Sequence, residues 1–120
     1  MTIDEITEKV IGAAFKVSNT LGVGFLEKVY ENALAIELRK AGLVVEQQRP
    51  VKVYYEGAVV GDYMADVVVE REVLLELKTA KAIEEPHKAQ VLNYLKATGL
   101  HVGLLLNFGT PRLGVKRLVL

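Results

Sequence analysis

The chain contains no cysteine. That excludes disulfides, thiolate zinc sites and cysteine nucleophiles. It is compatible with a cytoplasmic location, which is the expectation here. No window approaches the roughly 18 consecutive apolar residues that a membrane span needs, so no membrane association is expected. The N-terminus opens on an amphipathic, charged segment and not on a basic stretch followed by an apolar one, so no signal peptide is expected. An excess of one charge is also missing: 15 Lys and Arg face 15 Asp and Glu, a formal net charge of zero. Proteins that hold nucleic acid by bulk charge are usually basic, so the balance argues against such a binder. It does not argue against an enzyme whose acidic site is masked by a cation. There is no repeat, low-complexity tract or linker. No Walker-type glycine loop is present, and nucleotide hydrolysis is not expected.

What is there is a sequence of 120 residues, 51% of them hydrophobic, enough for a core within one domain spanning 1–120. Thr2 and Glu5 have capping-box spacing. Ile3, Ile6, Val10, Ala13, Ala14 and Val17 then recur at helical intervals, up to Gly22 and Gly24. A second helix is predicted from about Phe25 to Ala41, stopping at Gly42. The period then changes. Val51, Val53 and Tyr55 alternate with Lys52 and Tyr54, and Glu56-Gly57 predicts a hairpin turn. A strand from Ala58 to Val69 follows, with Gly61 marking a bulge or bend. Val73–Lys78 is a third strand. Glu84, Glu85 and Pro86 open a helix that stops at Gly99. The dense apolar run Val102–Leu106 suits a strand buried on both faces, and Val115–Leu120 an edge strand. The expected class is α/β, a central mixed sheet flanked by helices.

The chemistry centres on acids in apolar strands. Glu76 and Lys78 are two residues apart and share a strand face, among Val73, Leu74, Leu75 and Leu77. Asp66 lies beside Val67, Val68 and Val69 in the preceding strand. Charges in such strands are costly unless paired, solvated or coordinating. Two carboxylates at close range persist best with a divalent cation between them, and oxygen-only ligation suits Mg2+ or Mn2+. A nearby lysine can orient water or stabilise phosphate charge. Taken alone, Glu-x-Lys is a common pattern of solvated strand faces. For the acids to share an ion they must point to one face, so the hairpin between their strands is predicted to carry a three-residue loop or a bulge. On the last helix His87, Gln90 and Tyr94 line one side. On the second, Glu27 and Tyr30 border the apolar stripe.

The segment Gly24-Phe25-Leu26-Glu27-Lys28-Val29-Tyr30 resembles the signature of the small GxxExxY proteins, which are classed within the PD-(D/E)xK nuclease superfamily. The similarity extends through the Asp66 strand, Glu76-Leu77-Lys78, His87-Lys88-Ala89-Gln90, Asn93-Tyr94-Leu95, and Gly103-Leu104-Leu105 to Asn107-Phe108-Gly109. Gln90 and Tyr94 match the QxxxY element of the RecB-like branch. Ala65 stands where the superfamily often has proline. The resemblance implies a restriction-endonuclease-like core with a helix glutamate, a strand aspartate and an ExK element around a magnesium ion: Glu27, Asp66, Glu76 and Lys78. It implies a metal-dependent nuclease or nuclease-like phosphodiesterase using Mg2+ or Mn2+. Asp66, Glu76 and Glu27 would hold metal, and Lys78 would position or activate water. Gln90 would assist, with Tyr94, His87 and Tyr30 toward the substrate. The expected partner is nucleic acid, DNA first. A domain of this size offers little surface, so a homodimer or partner protein is also expected. The alternative is a non-catalytic nucleic-acid-binding or assembly module that retains the fold.

Overall fold

The N-terminal helices form where apolar residues return every three to four positions. The computed structural model describes residues 1–120. Helix α1 spans Ile3–Leu21. Its capping box is made: the Glu5 N–H donates to Thr2 Oγ1 and the Thr2 N–H to Glu5 Oε1, both at 3.2 Å. Ile6, Val10, Ala14 and Val17 form its buried stripe. The chain leaves it through Gly22, whose φ of 70° is accessible to glycine at no steric cost. Helix α2, Glu27–Lys40, buries Tyr30, Leu34 and Leu38.

Five strands follow: β1 Val45–Tyr55, β2 Ala58–Val69, β3 Val73–Lys78, β4 Val102–Asn107 and β5 Gly114–Val119, with helix α3, Glu85–Thr98, between β3 and β4. The sheet order is β1-β2-β3-β4-β5. All neighbours are antiparallel except β3 and β4, which are parallel and joined by α3 as the crossover. Two cores result. Helices α1 and α2 cover one face with Val67, Val69, Leu75, Leu77, Leu104 and Leu106. Helix α3 covers the other through Val91, Tyr94 and Leu95 over Val68, Leu74 and Leu105. Every residue of β4 is buried, as expected for a strand covered on both faces. The architecture is the expected mixed sheet flanked by helices. No helix is long and apolar enough to cross a membrane.

Turn chemistry sets the registers. Glu56 and Gly57, with φ of 49° and 81°, close the two-residue β1–β2 turn. Val53 pairs with Gly61 but Tyr54 with Val59, so Val60 bulges out beside Gly61. The β2–β3 hairpin closes on Val69↔Val73 over a three-residue loop, with Glu70 and Arg71 both left-handed. β1 starts at Val45, six residues ahead of the alternation at Val51. Glu46, Gln47, Gln48 and Arg49 sit on an edge strand, where polar residues carry no alternation signal. β2 pairs with β1 along its length, but with β3 only through Val67–Val69. The distal part of the β1–β2 hairpin therefore projects beyond the sheet as a two-stranded arm.

Tyr30 locks the α1–α2 turn. It is fully buried. Its hydroxyl donates to the Gly22 carbonyl at 2.6 Å and accepts from the Phe25 N–H at 3.2 Å. Its ring stacks on Phe108 at 4.8 Å. Tyr30→Phe leaves both backbone groups without this partner and is expected to cost about 1–3 kcal/mol in urea unfolding. An unchanged midpoint would remove Tyr30 from this structural role.

Candidate metal and catalytic site

β2 and β3 stop pairing where their acids begin. The ladder ends at Val67↔Leu75, and the same register carried one residue further sets Asp66 opposite Glu76. There the carboxylates replace backbone partners. Asp66 Oδ2 accepts the Leu77 N–H at 2.8 Å, and Glu76 Oε1 accepts the Asp66 N–H at 3.1 Å. Glu76 is only 3% exposed. Burial, then the charge of Asp66, push its carboxyl up to about 8. Burial likewise raises Asp66, against the opposing effect of the Leu77 N–H, and the charge of Glu31 adds to the rise. Near neutral pH the pair therefore retains a proton that isolated carboxyls would have lost.

The backbone is arranged for this. Ala65 packs in the α3-side core, whereas Val67 packs in the opposite core and Val68 in the α3-side core again. Strict alternation would put Ala65 and Val67 on one face, so the strand changes phase at Asp66. Its neighbour on β1 is Gln48, between the pairs Gln47↔Val67 and Arg49↔Ala65. Gln48 has φ 53°, uncommon for a non-glycine residue. Its side chain donates to Glu31 Oε1 at 2.7 Å, and Gln47 donates to Glu31 Oε2 at 2.8 Å. Lys28 pairs with the same carboxylate at 3.0 Å. Glu31 is nearly fully buried and was not among the residues singled out from sequence. Its signal was available: it follows Glu27 by four positions, so both acids stand on one side of α2.

Glu27, the first residue of α2, is half-buried. Burial raises its carboxyl, with the charge of Asp66 next, while Lys78 acts in the opposite direction. Lys78 ends β3 beside Asn107 of β4. It takes part in none of the chain's ion pairs. Asn107, part of the resemblance but given no role from sequence, clamps the segment that follows: its side chain accepts the Ala80 and Gly109 N–H groups at 2.9 and 3.1 Å and donates to the Ala80 carbonyl at 3.0 Å. On α3, Gln90 Nε2 donates to the Tyr94 hydroxyl at 3.3 Å. Burial raises that hydroxyl, with smaller contributions from the charges of Glu76 and Asp66. Tyr63 of β2 packs against Tyr94 at 5.9 Å. His87 serves the helix start, its Nδ1 accepting the Glu84 N–H at 3.1 Å. Tyr30 is engaged at the α1–α2 turn, as described.

No three His, Asp or Glu side chains converge as a ligand cluster. Of the expected trio, Asp66 and Glu76 are adjacent across the seam, and Glu27 lies close enough to respond to the charge of Asp66. Two carboxylates still fit Mg2+, which usually keeps several waters and takes one or two protein carboxylates along with substrate phosphates.

A family model of the PD-(D/E)XK nuclease superfamily matches residues 4–118. The chain belongs to that superfamily. The solved structure of SSO0001 superposes with a TM-score of 0.60 at 18% identity, covering 78% of this chain and 50% of that one. At that identity it supports the fold alone, which is restriction-endonuclease-like. The chain spans half the length of that protein. No protein of curated function matches the chain.

A carboxyl raised from 4.5 to about 8 means that the folded chain holds a proton the unfolded chain releases. Its contribution to stability is full below about 4.5 and is lost as pH rises toward 8. In urea titrations with EDTA, Glu76→Gln, which mimics the protonated form, is expected to lose less stability than the parent between these limits, by at least about 1 kcal/mol. Parallel curves would contradict the buried pair.

Proposed function

We propose that the chain is a metal-dependent phosphodiesterase acting on nucleic acid, with Asp66 and Glu76 as the cation ligands. The observation that carries this is the pair of adjacent, desolvated carboxylates with an unpaired lysine at the end of the same strand. Oxygen-only donors suit Mg2+ or Mn2+. A cation bound there would neutralise the pair and polarise a phosphoryl oxygen. Lys78 is free to donate to the phosphate and to orient the attacking water, supplying positive charge as the phosphorus gains negative charge. Glu27, whose carboxyl responds to the charges of Asp66 and Lys78, would hold a hydrated ion or water. Gln90 and Tyr94 present a hydrogen-bonded amide and hydroxyl from α3. The reaction consumes one water and breaks one P–O bond. Within the superfamily, Gly24, Glu27 and Tyr30 favour the GxxExxY group, and the composition favours a cytoplasmic protein of one domain.

One observation favours a second reading. Because no three acids converge, the chain would fit a binding or assembly module that keeps the fold without turnover. Two variants separate the readings. A lysine ammonium is no ligand for Mg2+. Lys78→Met should therefore bind Mn2+ like the parent yet cleave roughly two to four powers of ten more slowly. Glu76→Gln should lose both metal affinity and cleavage. Calorimetric titration and gel assays on single-stranded, duplex and branched substrates provide the readouts. Parent-like cleavage by Lys78→Met would overturn the role of that lysine. Metal binding by the parent without cleavage of any substrate would favour the second reading.

A further inference from the structure

Between the projecting β1–β2 arm and α3 runs a groove of about 860 Å3. The arm contributes Lys52, Tyr54 and Tyr63, and α3 contributes Asn93, Tyr94 and Lys96. Three properties of this groove bear on what it holds. The first is continuity with the acids. Gln90 and Tyr94 line it, and Tyr94 packs in the same core as Ala65, the residue next to Asp66, with its hydroxyl raised in small part by the charges of Glu76 and Asp66. The second is local charge. The whole chain has as many acids as bases, yet no acid lines the groove and two lysines do. The third is aromatic surface. Tyr54 is 62% and Tyr63 51% exposed, and Tyr63 stands tilted at 40° to Tyr94 and not stacked flat on it.

We propose that this groove binds an unpaired stretch of a polynucleotide and leads it to the carboxylate pair. The inference rests on the reading of that pair as a phosphodiester site and adds the form of substrate it takes. Exposed tyrosine rings recognise base faces, which are free in a single strand and covered by neighbouring base pairs in a duplex. Lysines beside them meet the phosphates, and Asn93 and Gln90 offer amides to base edges. The volume lies within the range of ligand sites, about 300–1,000 Å3, the scale of a short run of nucleotides. Duplex binding by charge would instead call for an extended basic surface, whereas the groove offers two lysines among aromatic rings. DNA and RNA share the chemistry read here, bases and phosphates, so both belong in the test.

The test is fluorescence anisotropy with the metal-free protein in EDTA, so that no turnover enters the reading. The probes are fluorescein-labelled dodecathymidylate, dodecauridylate and a blunt duplex of the same length. At least one single strand is expected to bind roughly ten-fold or more tightly than the duplex. Tyr63→Ala should weaken that binding roughly ten-fold, with Tyr63→Phe restoring it, because the ring and not the hydroxyl stacks. Lys52→Ala and Lys96→Ala should each reduce the slope of log affinity against log salt by about 0.7. Tyr55→Ala, exposed on the arm but outside the groove, should bind like the parent. Circular dichroism checks that each variant is folded. Duplex binding as tight as both single strands, or parent-like binding by Tyr63→Ala and both lysine variants, overturns the proposal. The two readings fail separately. Groove-dependent binding without cleavage in Mg2+ or Mn2+ leaves the groove standing and removes the hydrolytic reading. Cleavage by the parent with groove-independent binding does the reverse.

Discussion

A buried carboxylate and a half-buried one, side by side in the seam of a sheet, impose a cost that the rest of the molecule is arranged to meet. Desolvation penalises each charge, and each charge penalises the other. The backbone offsets part of this by giving up its own ladder. The Leu77 N–H turns to Asp66 and the Asp66 N–H to Glu76, which requires β2 and β3 to part after Val67↔Leu75. Lys78 lowers both carboxyls only as a minor influence. What remains uncompensated is met by a proton in the metal-free chain. A divalent cation would meet the same need and leave both carboxylates ionised.

The supporting elements act on that seam from different sides. β1 reaches it through Gln48, held in a left-handed conformation by its bond to Glu31. Glu31 in turn stands on α2, whose entry is fixed by Tyr30 and whose first residue is Glu27. β4 reaches it through Asn107, which ties down the chain after Lys78. There is no room for a side chain at Gly109, where a Cβ would run into the Ala80 backbone. α3 closes the remaining side with Gln90 and Tyr94. Four secondary-structure elements therefore hold two acids and a lysine in place.

Much of this was legible in the sequence because it is written in period and turn chemistry. Capping at Thr2 and Glu5, the turn at Glu56-Gly57 and the strand limits Ala58–Val69 and Val73–Lys78 are local, and each stands as expected. The three-residue loop at Glu70–Glu72 follows from a single requirement, that Asp66 and Glu76 meet. The start of β1 was not legible, because polar residues on an edge strand carry no alternation. Nor was the role of Gln48, since a left-handed glutamine has no sequence signature and is stabilised by a partner 17 residues away. Asn107 falls within the family resemblance, but only the return of the chain at Ala80 gives its amide a purpose. His87 and Tyr30 have the residue types of a site, but the His87 Nδ1 is engaged by the Glu84 N–H and the Tyr30 hydroxyl by the α1–α2 turn. Side-chain chemistry read from sequence does not show which polar atoms local backbone has already claimed.

The proposed metal site requires the Asp66–Glu76 pair to exchange a proton for a cation. Its most direct test is calorimetric titration of Mn2+ into the parent chain near neutral pH, in buffers of different ionisation enthalpy. With Glu76 pushed up to about 8, the account predicts release of about one proton per ion bound, diminishing as pH rises past that value. Binding with no proton release at neutral pH, or no binding at all, would contradict it.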